Sequence, residues 1–564
     1  MPKLFHLHIE NFRGIQSFDH KFKDGITCII GRGDSGKTTI LDAISMLLSP
    51  LYSLQFNDSD FYQGDVSKPI IIQGTLIELT DEIIRKFGSH LMGVKDGEIS
   101  KSAYEDTFEN GEPAVTIQLR VNKDLEPEWF VISMEEENNK TIKGSERELF
   151  NCFYISDYND RHFSLSKGTP LSSLFKQKAQ KNTQILNSEI IAELSRNSKN
   201  IFEEALQQQD IFNEISEAIT NNTSKLGLNI NRINASLDLR EISFKENKIS
   251  LHSENIPIRQ HGKGSKRIIS LAIQLALTDP AGIILIDEIE QGLEPDRAQQ
   301  LVSFLNSLSG VQVIMTTHSP NVVQELSCRQ LVIKRASEQF LRNIPEDFQG
   351  LVRSHPNALF VKKIIVSEGA TEDGLLKAFD YERQVKGKKS LTYNGVYSID
   401  GGGNHCYEKA EKLFELGYKV TLFCDSDLKD KKAEKERLSE KGVKIIDCEE
   451  GNDLEKQIFK DCTWDTIKEL INYRIALVDN NRNVFENVKC RMNPQPIFQE
   501  DWFDNETEDL RKGIGEAASK SKWYKNRPSA IELGRIIFKK ENSILPDSHL
   551  FKSFLAISEW IENV

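Results

Sequence analysis

The sequence predicts an α/β protein built from two successive units, each centred on a parallel sheet. Three observations lead there. Short apolar runs alternate with helical patterns both before residue 336 and after residue 357, the alternation that builds parallel sheets. A glycine-rich turn at residues 31–36 follows an apolar run and opens a helical pattern. In the last third of the chain, apolar runs end in acidic residues at Glu368, Asp400 and Asp425.

The elements follow in order. Strands are expected at Lys3 to Ile9, Phe18 to Phe22 and Thr27 to Ile30, then a helix from about Thr38 to Leu48. Residues 69–133 look strand-rich. From about Thr183 to Thr220, Ile185, Ile190, Leu194, Leu206 and Ile215 fall near helical spacing. Residues 238–252 read as two strands around Glu246-Asn247. A helix is expected after Gly264, a strand at Ile283–Ile286, a helix after Asp296 and a strand at Val311–Thr316. Pro345, Gly350 and Pro356 mark residues 336–357 as a connection. Four further strands are expected, at Ile364–Ser367, Val396–Asp400, Val420–Cys424 and Val443–Ile446.

Composition narrows the function classes. Of 564 residues, 38% are hydrophobic and 28% charged, as in soluble globular proteins. No run approaches the ~18 apolar residues that cross a bilayer, and the N-terminus has no secretory h-region. The eight cysteines form no CxxC pair, so a reducing, cytoplasmic setting is expected. The net charge of −13 argues against a simple nucleic-acid coater, which would be basic. Contact with DNA would run through local basic patches or through metal ions.

The first constellation is Gly31-Arg32-Gly33-Asp34-Ser35-Gly36-Lys37-Thr38, followed by Thr39. It fits GxxxxGK[ST] in full and stands between a strand and a helix, the context that motif requires. Glycines let backbone N–H groups wrap phosphates, and the helix start favours negative charge. Lys37 would meet the β- and γ-phosphates of ATP, and Thr38 would ligate Mg²⁺. Ile283-Ile284-Leu285-Ile286-Asp287-Glu288 is an apolar strand ending in two acids. Asp287 would hold Mg²⁺, and Glu288 would orient the attacking water. His318, just past the next strand, can reach the γ-phosphate.

Together these motifs resemble the ATP-binding-cassette ATPases of the SMC, RecF and OLD group. Asn11-Phe12-Arg13-Gly14 fits that group as well. The resemblance implies that the segment Gln260 to Arg267, with Gly264, contacts ATP on a partner subunit in a head-to-tail dimer; it lacks the LSGGQ spelling. Gly292-Leu293-Glu294-Pro295 would be the D-loop, and Gln73 is one candidate for the Q-loop. The stretch from Lys37 to Gly262 holds no sustained heptad pattern, which excludes a long-armed member.

The second constellation is the set of acids at strand ends. In an open parallel sheet the carboxyl ends share one edge, where ligands bind. Glu368, Asp400, Asp425 and Asp427 should therefore gather there. Clustered carboxylates repel one another unless cations neutralise them, and hard oxygen ligands favour Mg²⁺ or Mn²⁺. Two such ions can hold both oxygens of a phosphodiester displacement.

Ser367-Glu368-Gly369-Ala370-Thr371-Glu372 and Asp425-Ser426-Asp427 are similar to the Toprim domain of topoisomerases, primases and OLD-family nucleases. The resemblance implies metal ligation by Glu368, Glu372, Asp425 and Asp427, with Asp453 and Glu455 as a further acidic element. It also implies a late basic residue at the transition state, Lys525 or Lys522, in a cluster with Lys520 and Arg527; a plain basic patch or a DNA-backbone contact is as compatible with these residues. His6 and His8 share one face of a strand and read as an edge-strand surface. Arg161 stays open as a nucleotide or partner contact.

An ABC-type ATPase followed by a Toprim domain is the layout of the OLD family, shared with the Gabija nuclease subunit and retron-associated OLD nucleases. The expected domains are 1–345, with a helical dimerisation insertion at about 165–235, and 355–564. The resemblance implies an ATP-regulated, divalent-metal-dependent DNA endonuclease in anti-phage defence. It would act as a homodimer or higher homo-oligomer, with a defence partner protein or guide nucleic acid as a further partner. The alternative is an ATP-driven DNA-binding or repair scaffold whose second unit does not cleave.

Overall fold

Buried apolar runs set the two parallel sheets. In the computed structural model, the described residues are 2–50, 54–100, 111–133, 139–150, 152–155, 251–277, 282–426, 431–493 and 495–563, with isolated positions between 163 and 217. They divide into two compact units, Met1–Asn343 and Ile344–Val564. The helical insertion expected at about 165–235, Arg161 and the strands expected around Glu246-Asn247 lie essentially outside the described residues.

The first unit holds two large sheets. Strands β1 (Lys3–Phe12), β2 (Ile15–Lys21) and β3 (Ile26–Ile30) open it, followed by β4 (Ile70–Ile77), β5 (Met92–Lys95), β6 (Glu98–Ile99), β7 (Glu112–Val121), β8 (Pro127–Val131) and β9 (Lys140–Thr141). One sheet is antiparallel, in the order β2-β1-β4-β7-β5-β6, with β8 and β9 joined beside β7. The other runs β10-β13-β14-β3-β15-β16, where β10 is Cys152–Ile155, β13 Ile283–Ile286, β14 Gln312–Thr317, β15 Leu331–Lys334 and β16 Leu341–Asn343. All its pairings are parallel except β15 with β16. A small hairpin, β11 (His252–Ser253) with β12 (Ile256–Pro257), is separate.

The helix Lys37–Leu47 ties these sheets into one core. Its Ile40, Leu41, Ile44 and Leu47 are buried with Leu7 and Ile72 of one sheet and Ile283 and Ile314 of the other. Gly74 makes room for it: a Cβ there would stand 2.6 Å from Leu47 Cδ2. The helix start is thereby held at the end of β3, beyond the glycine-rich turn.

Two expectations are corrected here. His6 and His8 do not lie on an edge strand, since β1 pairs with β2 on one side and β4 on the other. Both rings instead meet the Asp19 carboxylate at 2.5 Å. The connection expected at 336–357 is partly built structure: β16 closes the first unit, and the helix Gln349–Ser354 belongs to the second. Its apolar residues Leu341, Ile344, Phe348, Leu351 and Val352 are buried, but prolines and a glycine interrupt any period that would reveal them.

The second unit is a four-stranded parallel sheet in the order β18-β17-β19-β20, where β17 is Lys363–Ser367, β18 Val396–Asp400, β19 Lys419–Cys424 and β20 Lys444–Asp447. From β17 the chain steps to one side for β18 and to the other for β19. The order reverses between β17 and β19, and such a switch point opens a crevice at the carboxyl ends of the strands. Glu368 follows β17 and Asp425 follows β19, so the two acids flank that crevice.

Late helices of the unit close back onto this edge. The helix Arg527–Lys539 packs tightly on the helix Ala370–Val385 through small residues. A Cβ on Gly374 would stand 2.5 Å from Ala530 Cβ, and one on Gly534 2.5 Å from Ala378 Cβ. This close approach brings the segment before Arg527 to the start of the helix that carries Glu372.

Candidate functional site

The nucleotide motif forms a tight cradle. Gly31 has φ 151°, and a Cβ there would lie 2.2 Å from the Lys334 carbonyl oxygen, so only glycine fits. Gly36, with φ 88°, turns the chain into the helix. The Lys37 ammonium donates to the carbonyl oxygens of Gly31 at 3.0 Å and Arg32 at 2.8 Å, spanning the loop. Burial holds its pKa below the ordinary lysine value, against the opposing pull of Asp287, Glu288 and Glu290.

Thr38, Asp287 and Glu288 meet across the sheet. Thr38 Oγ1 donates to Asp287 Oδ2 at 3.1 Å. Thr316 Oγ1 donates to Asp287 Oδ1 at 2.6 Å and accepts the Glu288 N–H at 2.8 Å. His318 Nε2 lies 3.9 Å from Glu288 Oε1. The Thr38 hydroxyl and Asp287 carboxylate oxygens are donors of the kind that suit a hard cation.

Gly264 opens the helix Lys263–Leu277 directly against the turn at Gly292. A Cβ on Gly264 would stand 2.3 Å from the Gly292 carbonyl oxygen. Arg267, 4% exposed, donates to Gln291 Oε1 at 3.0 Å and to the Asp287 carbonyl oxygen. It therefore braces the Asp287 strand end, a role hidden in the basic run Lys263 to Arg267. Arg13 joins Asp60 at 2.9 Å and Asp42 at 2.5 Å, linking the opening turn to the phosphate-loop helix. Gln73 lies in β4 opposite His8 and Gln118. Thr39 and Asp34 complete the turn, half-buried and exposed.

The acids of the second unit gather at the β17–β19 switch point. Glu368 Oε2 accepts the Asp425 N–H at 2.9 Å, and Asp425 Oδ1 accepts the Leu454 N–H at 2.7 Å. Glu372 is 2% exposed and Glu455 0%. Glu372 Oε2 caps its own helix through the Gly369 N–H at 2.9 Å; its Oε1 is buried with no hydrogen-bond partner among the described residues. Glu455 Oε1 accepts from Thr371 Oγ1 at 3.3 Å, and its Oε2 faces Lys525 Nζ at 3.4 Å.

Burial, then repulsion from Glu455, raises the Glu372 pKa. Burial, then repulsion from Glu372 and Glu368, raises that of Asp425. Burial also raises Glu455, with Lys525 opposing. One nearby ammonium does not neutralise four carboxylates, so a divalent cation fits this donor set. Asp427 lies outside the described residues. Among the described residues no three such side chains form a closed metal-ligating group, so any cation site needs further donors or a rotation of these carboxylates.

Other expected residues fall differently. Asp400 is exposed, and its Oδ1 accepts the Gly402 N–H at 2.8 Å; it shapes the glycine turn rather than joining the cluster. Asp453 Oδ1 caps the helix Leu454–Asp461 through the Lys456 N–H at 2.9 Å, and its Oδ2 accepts from Ser519 Oγ. Both its oxygens are thus occupied. Lys525, not Lys522, reaches the acids: Lys522 is exposed in a left-handed turn with φ 52° and makes no ion pair among the described residues. Arg527, unassigned a role by its pattern, pairs with Asp373 at 2.9 Å.

Comparison with known proteins places the first unit. The family model described as an AAA ATPase domain matches residues 3–323. A protein named Retron Ec83 probable ATPase, from Escherichia coli, is 22% identical over 411 residues, covering 62% of this chain and 74% of that protein. Septu protein PtuA from Bacillus thuringiensis is 30% identical over 149 residues, 26% of this chain and 33% of that protein. Among solved structures, an Smc head domain bound to the C-terminal domain of ScpA, from Pyrococcus furiosus, is 15% identical. It has a TM-score of 0.33 and covers 61% of this chain and 96% of that chain.

Proposed function

The chain belongs to the AAA ATPase domain family, and from that premise we propose that it is an ATP-controlled DNA endonuclease of the OLD type. Its second unit is read as a Toprim domain that cleaves phosphodiesters with Mg²⁺ or Mn²⁺. One observation carries the reading: Glu368, Glu372, Asp425 and Glu455 crowd a strand-edge crevice opposite Lys525. A fold has no stability reason to bury so much like charge.

In the first unit, Gly31, Gly33, Asp34, Ser35, Gly36, Lys37, Thr38 and Thr39 would hold the nucleotide phosphates, with Thr38 and Asp287 beside Mg²⁺. Glu288 would take the proton of the attacking water, and His318 would face the γ-phosphate. Gly264 and its helix would meet the nucleotide of a second copy, so a homodimer or larger homo-oligomer is part of the reading.

In the second unit, Glu368, Glu372, Asp425 and Asp427 would hold the divalent cations, with Glu455 at the margin and Asp453 in support. The chemistry that bound cations supply there is neutralisation of the phosphodiester and activation of water. Lys525 would face the charge that builds on the phosphate oxygens. Its side chain is 38% exposed, and Glu455, Asp425 and Glu372 raise its pKa against partial desolvation, which keeps the ammonium charged. Similarity to proteins named for retron and Septu systems supports a role in anti-phage defence, with a defence partner protein or guide nucleic acid, in the cytoplasm. Among the described residues no helix is long and apolar enough to cross a membrane.

The test is nicking of supercoiled plasmid with Mg²⁺ or Mn²⁺, with and without ATP, run beside a DNA-binding assay. A nuclease converts the plasmid. A DNA-binding scaffold retains it intact.

A further inference from the structure

Lys435 is a half-buried lysine that no motif marks. It stands in the helix Lys432–Lys441, its side chain 12% exposed. An ammonium carries three N–H donors, and here three acceptors surround it. They are the Asp425 carbonyl oxygen at 2.6 Å, Ser426 Oγ at 2.8 Å and Asp447 Oδ2 at 2.9 Å. Ser426 Oγ also donates to Asp447 Oδ2 at 3.0 Å. Asp447 ends β20, and its own carbonyl oxygen meets His549 Nε2 at 2.6 Å. Lys435 thus ties the end of β19 to the end of β20.

The remaining bonds at this corner also fix the backbone. The Asp425 N–H donates to Glu368 Oε2 at 2.9 Å. The Ser426 N–H donates to the Asn452 carbonyl at 2.9 Å, and the Ser426 carbonyl accepts the Gly451 N–H at 2.8 Å. Lys435 completes this frame by holding the Asp425 carbonyl and the Ser426 hydroxyl. The Asp425 carboxylate is held by the Leu454 N–H at 2.7 Å, and Lys435 fixes the backbone from which that side chain extends. With its donors saturated, Lys435 has none left for a phosphate, in contrast to Lys525.

We infer that Lys435, with Ser426 and Asp447, is a positioning residue for a divalent-cation site at Asp425. It holds Asp425 against the repulsion of Glu368 and Glu372 and so sets how tightly that site binds its cation. The inference rests on the reading that the acid cluster binds cations.

The experiment is Mn²⁺ binding to the full chain without DNA, read from the loss of the free-ion paramagnetic resonance signal, for wild type, Lys435→Met, Lys435→Arg and Ser426→Ala. Lys435→Met should raise the Mn²⁺ dissociation constant about 10–100-fold. Ser426→Ala, which removes one of the three contacts, should raise it less, and Lys435→Arg should recover part of the loss. Unchanged Mn²⁺ affinity in Lys435→Met and Ser426→Ala overturns the inference, whatever the melting temperatures. If Lys435→Met does not fold, Ser426→Ala decides. A wild type that binds no Mn²⁺ overturns the cation reading beneath it, and the inference with it.

Discussion

Asp425 donates its backbone N–H to Glu368 Oε2 at 2.9 Å, so the end of one strand orients the carboxylate of its neighbour. The bond crosses the point where strand order reverses. It links the Glu368 carboxylate to the backbone at Asp425.

That coupling has a pH signature. Burial and mutual repulsion raise the Glu372 pKa from 4.5 to about 7 and the Asp425 pKa from 3.8 to about 9. Unfolded, both ionise near the ordinary carboxylate range. Folded without metal, they keep protons longer, so their contribution to stability is full below that range and is lost as pH rises through about 7 to 9. Divalent cations compete with those protons. The rise in melting temperature caused by Mn²⁺ should be larger at about pH 9 than at about pH 6, read by thermal denaturation with and without the ion. A rise independent of pH contradicts the assignment.

The phosphate cradle gives a second prediction. Lys37 spans the loop from the Gly31 and Arg32 carbonyls. Lys37→Ala should weaken ATP binding by about 1.5–3 kcal/mol, the worth of hydrogen bonds to a charged group, or roughly tenfold to more than a hundredfold. Equilibrium binding of a fluorescent ATP analogue measures it.

Glu288 gives a third. Its N–H is fixed by Thr316 Oγ1 at 2.8 Å, and its carboxylate lies beside His318. Glu288→Gln should keep ATP affinity and cut hydrolysis by about 10²–10⁴-fold, the usual size of general-base catalysis. Phosphate release at saturating ATP reads it.

The helix pair gives a fourth. Gly534 and Ala378 approach so closely that a Cβ on Gly534 would lie 2.5 Å from Ala378 Cβ. Gly534→Val should destabilise the second unit by about 1–3 kcal/mol through overpacking, read as a lower urea midpoint. Nicking should fall as well, because the helix that begins at Arg527 carries Lys525 to the acids.

Much of this was legible in the sequence because the chemistry is contiguous. Residues 31–38 and the Asp287-Glu288 pair announce themselves by spacing, and the four strands of the second unit by short, mostly apolar runs. The strand-end rule also found Glu368 and Asp425, and it misled at Asp400. There the same pattern ends in a glycine turn whose Gly402, with φ 76°, presents its N–H to the carboxylate. Arg267, Lys435 and Ser519 were not legible, since each acts through a partner brought close only by folding. The interior position of β1 was hidden for the same reason: its second neighbour, β4, begins at Ile70.

The most direct test is Mn²⁺-dependent nicking of supercoiled plasmid by wild type and Asp425→Asn side by side. The account predicts nicking by the wild type and a loss of about 10²-fold or more in the variant, which keeps the shape of the side chain and removes its charge. Equal nicking by the two proteins would contradict it.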